Sequence, residues 1–178
     1  MSTEESLRYP IGKYQPPETI SPEQRAEWIG TIEALPRKLK QTVSDLTETQ
    51  LDTPYRPNGW TVRQVVHHLP DSHLNSYIRF RLALTEEKPT IKPYDEAEWA
   101  ELPDAKTGPI GPSLLILEGL HQRWTALLRT LDDGAFARTL RHPEWGEIRL
   151  DWMLGLYAWH CGHHLAHITR LQGYVTYQ

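Results

Sequence analysis

A chain of 178 residues with 39% hydrophobic side chains fits one domain with a real core, and no second domain is expected. Its formal charge of -4 is spread over interspersed acids and bases, which argues against a nucleic-acid or membrane partner. The acidic start Met1-Ser2-Thr3-Glu4-Glu5 is unlike a secretory leader, and no apolar run approaches the roughly 18 residues of a membrane span. A lone Cys161 rules out an internal disulfide, so a cytoplasmic protein is expected, one that holds any metal mainly through nitrogen and oxygen.

Residues 1–20 contain Tyr9-Pro10-Ile11-Gly12 and Pro16-Pro17, whose fixed φ angles and missing N–H groups predict an extended arm. Ser21-Pro22-Glu23-Gln24 is a capping box with proline at the first helical position. It opens a first helix on which Trp28, Ile32, Leu35, Leu39, Val43 and Leu46 share a face, and Pro36 should kink it. A connection with Pro54, Pro57 and Asn58-Gly59 leads to a second helix, capped by Thr61 and Gln64, stapled by Trp60 onto Val65, and extending to about Leu84. Five prolines and many charges between Thr85 and Pro112 predict a long crossover with at most a short helix near Asp95 to Glu101. Such loops in compact domains often cover a site.

A third helix from Ser113 to Leu131 carries Leu114, Leu117, Leu120, Trp124, Leu127, Leu128 and Leu131 on one broad stripe, and Asp132-Asp133-Gly134 ends it. Thr139 to Leu150 reads as a hairpin around Pro143-Glu144-Trp145-Gly146, and a fourth helix follows from about Asp151 to Leu171. With no internal repeat, the predicted architecture is all-α: a four-helix bundle with long crossover connections.

Seven of the nine histidines fall in two short segments, His67, His68 and His73 in the second helix and His160, His163, His164 and His167 in the fourth. Helical residues four apart lie about 5–6 Å apart at Cβ, so two imidazoles so spaced can reach one ion. The fourth helix offers two such pairs. Met153, Tyr157, His160, His164, His167 and Leu171 follow one inward stripe, which favours His160 with His164 over His163 with His167. A third ligand from the second helix would complete an open three-histidine site. There the core stripe is Val62, Val65, Val66, Leu69, His73 and Phe80, flanked by His67 and His68 on opposite sides. His68 lies in line with Ser72, Asn75 and Arg79, a polar face suited to an aqueous site.

Gly59-Trp60-Thr61-Val62-Arg63-Gln64-Val65-Val66-His67-His68-Leu69, with Asp71-Ser72-His73, resembles the first signature of the DinB-like superfamily, in which the histidine before the leucine is a metal ligand. His160-Cys161-Gly162-His163-His164 resembles the second. Tyr9-Pro10-Ile11-Gly12, Leu51 to Arg56, Asn75 to Phe80, Arg123 to Leu128 and His142-Pro143 extend the resemblance to the YfiT-like metal-dependent hydrolase branch, over nearly the whole chain. The resemblance implies a four-helix bundle, a homodimer, and one divalent ion on His68, His160 and His164, with zinc the expected metal and nickel an ion that a purified sample can also carry. Two positions depart from the family pattern: Pro70 stands where a small helix former is usual, and His167 where glutamine is common.

Zinc on three neutral imidazoles keeps its full charge and can activate water for attack on a small-molecule amide or ester, which is the hydrolase reading. The same site could hold a thiolate, so a bacillithiol-type thiol S-transferase is a second reading, and a non-catalytic metal-stabilised stress or interaction protein a third. No HExxH motif supplies a base; Asp71 and Asn75 are the nearest candidates along the second helix. Cys161, about 100° around the helix from His160, reads as a packing residue.

Overall fold

A computed structural model of the protein describes residues 3–175. The arm begins with a short helix, α1 (Thr3–Arg8), in place of the extended chain expected throughout. Glu4 and Glu5 in its first turn and Arg8 in its last complement the helix dipole, and only the stretch from Tyr9 to Ile20 matches the irregular arm that the prolines predict.

In α2 (Pro22–Val43) the Ser21 side chain accepts from the Gln24 N–H, as the cap motif requires. The Gln24 amide turns instead to Glu27, so the box is half-formed. The helix is continuous through Pro36 and buries Ile29, Ile32, Leu35, Leu39 and Val43. The connection that follows hides one helical turn, α3 (Glu48–Leu51), closed by a capping box of Thr47 and Gln50.

α4 (Val62–Thr85) starts on the predicted box, with Thr61 accepting from the Gln64 N–H and the Gln64 side chain accepting from the Thr61 N–H at 2.9 Å. Its apolar side, Val62, Val65, Val66, Leu69 and Phe80, is fully buried, which fixes the rotation of the helix. Arg63 ties this start down through Asp52 at 2.7 Å and the Gly108 carbonyl at 3.0 Å.

The crossover contains α5 (Glu96–Ala100), as expected, and α6 (Pro103–Thr107); both pack on α4. α7 (Gly111–Leu128) leads through α8 (Asp133–Phe136) to an antiparallel hairpin, β1 (Thr139–His142) and β2 (Gly146–Arg149), in which Leu140 faces Ile148. Gly146 takes φ 74° in its turn, a conformation glycine adopts without steric cost.

α9 (Leu150–Val175) runs past the end expected at Leu171 and through Gly173. α2 packs on α7 and α9, and α4 packs on the same two, so α2, α7, α4 and α9 close a four-helix bundle. Gly155 permits the close α2–α9 approach: a Cβ there would sit 2.7 Å from the Trp28 ring.

Candidate metal centre

His68 sits two turns into α4, on the flank next to the buried valines, and looks across to α9, where His160 and His164 stand one turn apart. The donor nitrogens of these three all lie within 4.8 Å of one another. His68 Nε2 is 3.3 Å from His160 Nε2. Two nitrogens at about 2.0–2.1 Å from one tetrahedral zinc are separated by about 3.3 Å, so this pair is spaced as two ligands of a single ion. Burial holds all three imidazoles neutral, with the His68 pKa pushed down to about 4 and those of His160 and His164 well below the usual value. Neutral nitrogen donors, pre-gathered and with lone pairs to offer, fit a divalent cation.

The tautomers of two of the three are set from behind. A neutral imidazole has one donor and one acceptor nitrogen, whereas a backbone carbonyl can only accept. His121 on α7 places Nδ1 2.6 Å from the Ile32 carbonyl, so Nδ1 carries the proton and Nε2 accepts. That Nε2 is 2.8 Å from His73 Nδ1, which therefore donates. His73 Nε2 in turn accepts from His160 Nδ1 at 3.1 Å. The chain from Ile32 through His121 and His73 leaves His160 with a free lone pair on Nε2, the atom that faces His68.

A second, shorter chain orders His164. The Arg8 carbonyl accepts from His167 Nε2 at 3.2 Å, and His167 Nδ1 accepts from His164 Nδ1 at 3.4 Å, so the His164 lone pair is again on Nε2. Such outer partners orient metal-binding imidazoles and raise their basicity. The donor atoms of His163, His164 and His167 also lie within 4.8 Å of one another, but the His167 lone pair is occupied by His164. His163 stacks on Trp159 with ring centres 4.4 Å apart, and its Nδ1 is buried without a hydrogen-bond partner among the described residues.

His67 points elsewhere, with Nδ1 2.8 Å from Ser113 Oγ and Nε2 3.2 Å from the Gly108 carbonyl. Cys161 is buried in the core cluster and its thiol pKa is raised by burial, as a packing residue requires. Beside the three histidines opens a cavity of about 670 Å³, lined by Ser72 and Arg79 of α4, Tyr94 and Glu96 of the crossover, Tyr157 of α9 and Glu144 of the hairpin turn. Asp71 and Asn75 are not among its lining residues. The Asn75 amide donates back to the Asp71 carbonyl at 2.9 Å, and the Asp71 carboxyl, raised to about 6 by burial and by Asp104, sits beside α6.

Sequence reasoning placed His73 on the core stripe without a role and passed over His121. Both were signalled by the same oddity, a histidine at a helical spacing otherwise filled by Leu, Val and Trp. Tyr157 was placed on the inward stripe; the structure adds that its hydroxyl donates to the Ser72 carbonyl at 3.2 Å, at the wall of the cavity.

The family model described as DinB superfamily matches residues 23–168. The chain is 60% identical over 170 residues, 95% of its length and 96% of the relative's, to a Bacillus subtilis (strain 168) protein named "Putative metal-dependent hydrolase YfiT". A Bacillus mycoides (strain KBAB4) protein named in the same way is 56% identical over 166 residues, 93% of this chain and 95% of that one. A solved structure of YfiT from Bacillus subtilis, described as having an unusual four-helix bundle topology, superposes with a TM-score of 0.94 at 58% identity, covering 96% of this chain and 98% of that one. The extent and level of these matches leave one conclusion: the chain belongs to the DinB superfamily.

Proposed function

We propose that the protein is a metal-dependent hydrolase that holds one divalent ion, zinc in the first instance, on His68, His160 and His164 and cleaves a small-molecule amide or ester. The observation that carries this reading is the convergence of three neutral imidazoles from two helices, His68 and His164 buried and His160 partly buried, at the wall of an open cavity. The names of the relatives, at 56–60% identity over nearly the full chain, support it.

A divalent ion there supplies a Lewis acid that polarises a carbonyl and makes water a better nucleophile. The chain's own residues do the remaining work. His73 and His167 keep the ligand nitrogens unprotonated on the side that faces the cavity. Trp60, with its ring centre 4.8 Å from that of His68, walls one side. Glu96 and Glu144 are the carboxylates that line the cavity, so in this reading they, rather than Asp71 and Asn75, are the candidates to take a proton from water.

The homodimer belongs to the same proposal. Leu74 and Ile78, exposed one turn apart on α4, and Leu115 and Ile116 on α7 are apolar side chains that a second copy can cover. Among the described residues no helix is long and apolar enough to cross a membrane.

The test is metal analysis followed by turnover. Purified protein should carry about one equivalent of metal per chain, and the His160→Ala, His164→Ala double variant should carry none. Full occupancy in that variant would sink the site. Zinc-loaded protein should then hydrolyse members of an amide and ester panel; turnover only in the presence of a thiol would move the protein to the transferase class.

A further inference from the structure

Three arginines of the described residues are buried, and two of them are neutralised. Arg63, 3% exposed, holds Asp52 and Glu48, and Arg25, 8% exposed, holds Asp133. Arg79 is also 8% exposed and lines the cavity beside the three histidines, yet no carboxylate or carbonyl among the described residues pairs with it. A guanidinium cannot shed its proton, so its charge stays wherever the fold buries it. Burying a cation without a partner is costly, and proteins avoid it unless a ligand completes the pair.

The surroundings define that ligand. His142 feels the charge of Arg79 and is kept neutral mainly by burial, so it adds neither an anion nor a second cation. Glu96 and Glu144 line the same cavity without ion-pairing to Arg79, and with Arg8 and Arg56 also in the lining, three guanidinium groups against two carboxylates leave one positive charge, which a singly charged anion balances. Arg79 is eleven residues from His68, so it lies within about 20° of the same helix face and about 16 Å further along α4. Helical side chains lean toward the N-terminus, which brings the guanidinium back toward the histidines. Of the three arginines that line the cavity, Arg8, Arg56 and Arg79, only Arg79 is buried, and its planar fork, unpaired, suits one carboxylate.

Resting on the hydrolase reading, we propose that the substrate is a monocarboxylate: an amide or ester whose carboxylate pairs with Arg79 while its scissile carbonyl lies at His68, His160 and His164. The pairing fixes one end of the substrate and so sets the distance from the carboxylate to the scissile bond. Neutral esters and amides are then poor substrates, although their reacting groups are the same.

Calorimetric titration of the zinc-loaded protein with ω-carboxyalkyl hydroxamic acids of graded spacer length, each beside its neutral primary-amide counterpart, tests this. The hydroxamate end chelates the metal in every compound, so the neutral series reports on the metal site alone. At the best spacer the acid should bind at least about tenfold tighter than its amide. Arg79→Gln should erase that difference, and Arg79→Lys should restore part of it. Equal binding of acid and amide at every spacer by the unaltered protein would overturn the role of Arg79 and leave the metal site standing. Failure of all the hydroxamates to bind would overturn the metal site and this inference with it. Because the acid–amide comparison is decisive in the unaltered protein, the result does not depend on the folding of a variant.

Discussion

His121 lies on a different helix from every proposed ligand, yet its replacement should weaken metal binding. His121→Phe preserves the bulk of a side chain that is 1% exposed and removes both of its hydrogen bonds, to the Ile32 carbonyl at 2.6 Å and to His73 at 2.8 Å. Each buried group left without a partner costs about 1–3 kcal/mol of stability. The chain of donors also loses its fixed end, so His73 and His160 are free to reverse and place a proton on His160 Nε2, the atom that faces the ion. Loss of such an outer partner typically costs 10–100-fold in metal affinity, or about 1.4–2.7 kcal/mol. Competition with a chromophoric chelator measures this, and ¹⁵N spectra of the metal-free protein report which nitrogen of His160 is protonated. His121→Gln supplies an amide N–H for Ile32 and a carbonyl oxygen for His73, so it should recover most of the affinity and the original tautomer. Unchanged affinity together with an unchanged His160 tautomer in His121→Phe would refute the reasoning.

At the adjacent pair, His68→Ala should lower metal affinity by well over tenfold, whereas His67→Ala should leave it within a few-fold and instead lower the melting temperature, because it frees Ser113 and the Gly108 carbonyl. The opposite order in chelator titrations would mean that His67 is the ligand. Acid should unfold the metal-free protein early. The pKa values of His68 and His121 are pushed from 6.5 to about 4 by burial, so both states are neutral above 6.5 and stability is unaffected there. Below 6.5 the unfolded chain takes up protons that the folded one refuses, and stability falls by up to about 1.4 kcal/mol per pH unit for each of these two, levelling near pH 4. A melting temperature flat from pH 6.5 to 4 would contradict the neutral, buried cluster. Finally, Gly155→Ala should cost about 1–3 kcal/mol in urea unfolding, since the added methyl meets the Trp28 ring; a neutral result would show that α2 and α9 can part cheaply.

What the sequence determined by itself was whatever rests on neighbours along the chain. The four long helices, the Thr61–Gln64 box that starts α4 and the hairpin at Gly146 follow from caps, turn residues and apolar spacing within a few residues of one another. That His160 and His164 share one side of α9 could be read the same way, because one helix carries both at a spacing of four. Short elements escaped: α1 and α6 have too few residues for a periodicity, and α3 depends on a capping box inside a segment that prolines otherwise mark as loop. The end of α9 was misplaced because packing against the bundle carries the helix past a glycine that alone costs only about 1 kcal/mol.

Only the tertiary structure decided what stands around the histidines. His121 meets His73 across 48 residues of sequence, His167 meets a carbonyl 159 residues away, and no local pattern encodes a hydrogen bond between helices. Asp71 and Asn75 looked suitable because they share a helix with His68. Helix rotation and the packing of α6 leave them outside the cavity, while the crossover and the hairpin turn bring Glu96 and Glu144 to it. Arg79 was legible as a member of the polar face of α4, but not as a buried cation without a partner. Burial and pairing are properties of the closed bundle, set by which side chains from distant segments arrive at one place and which do not.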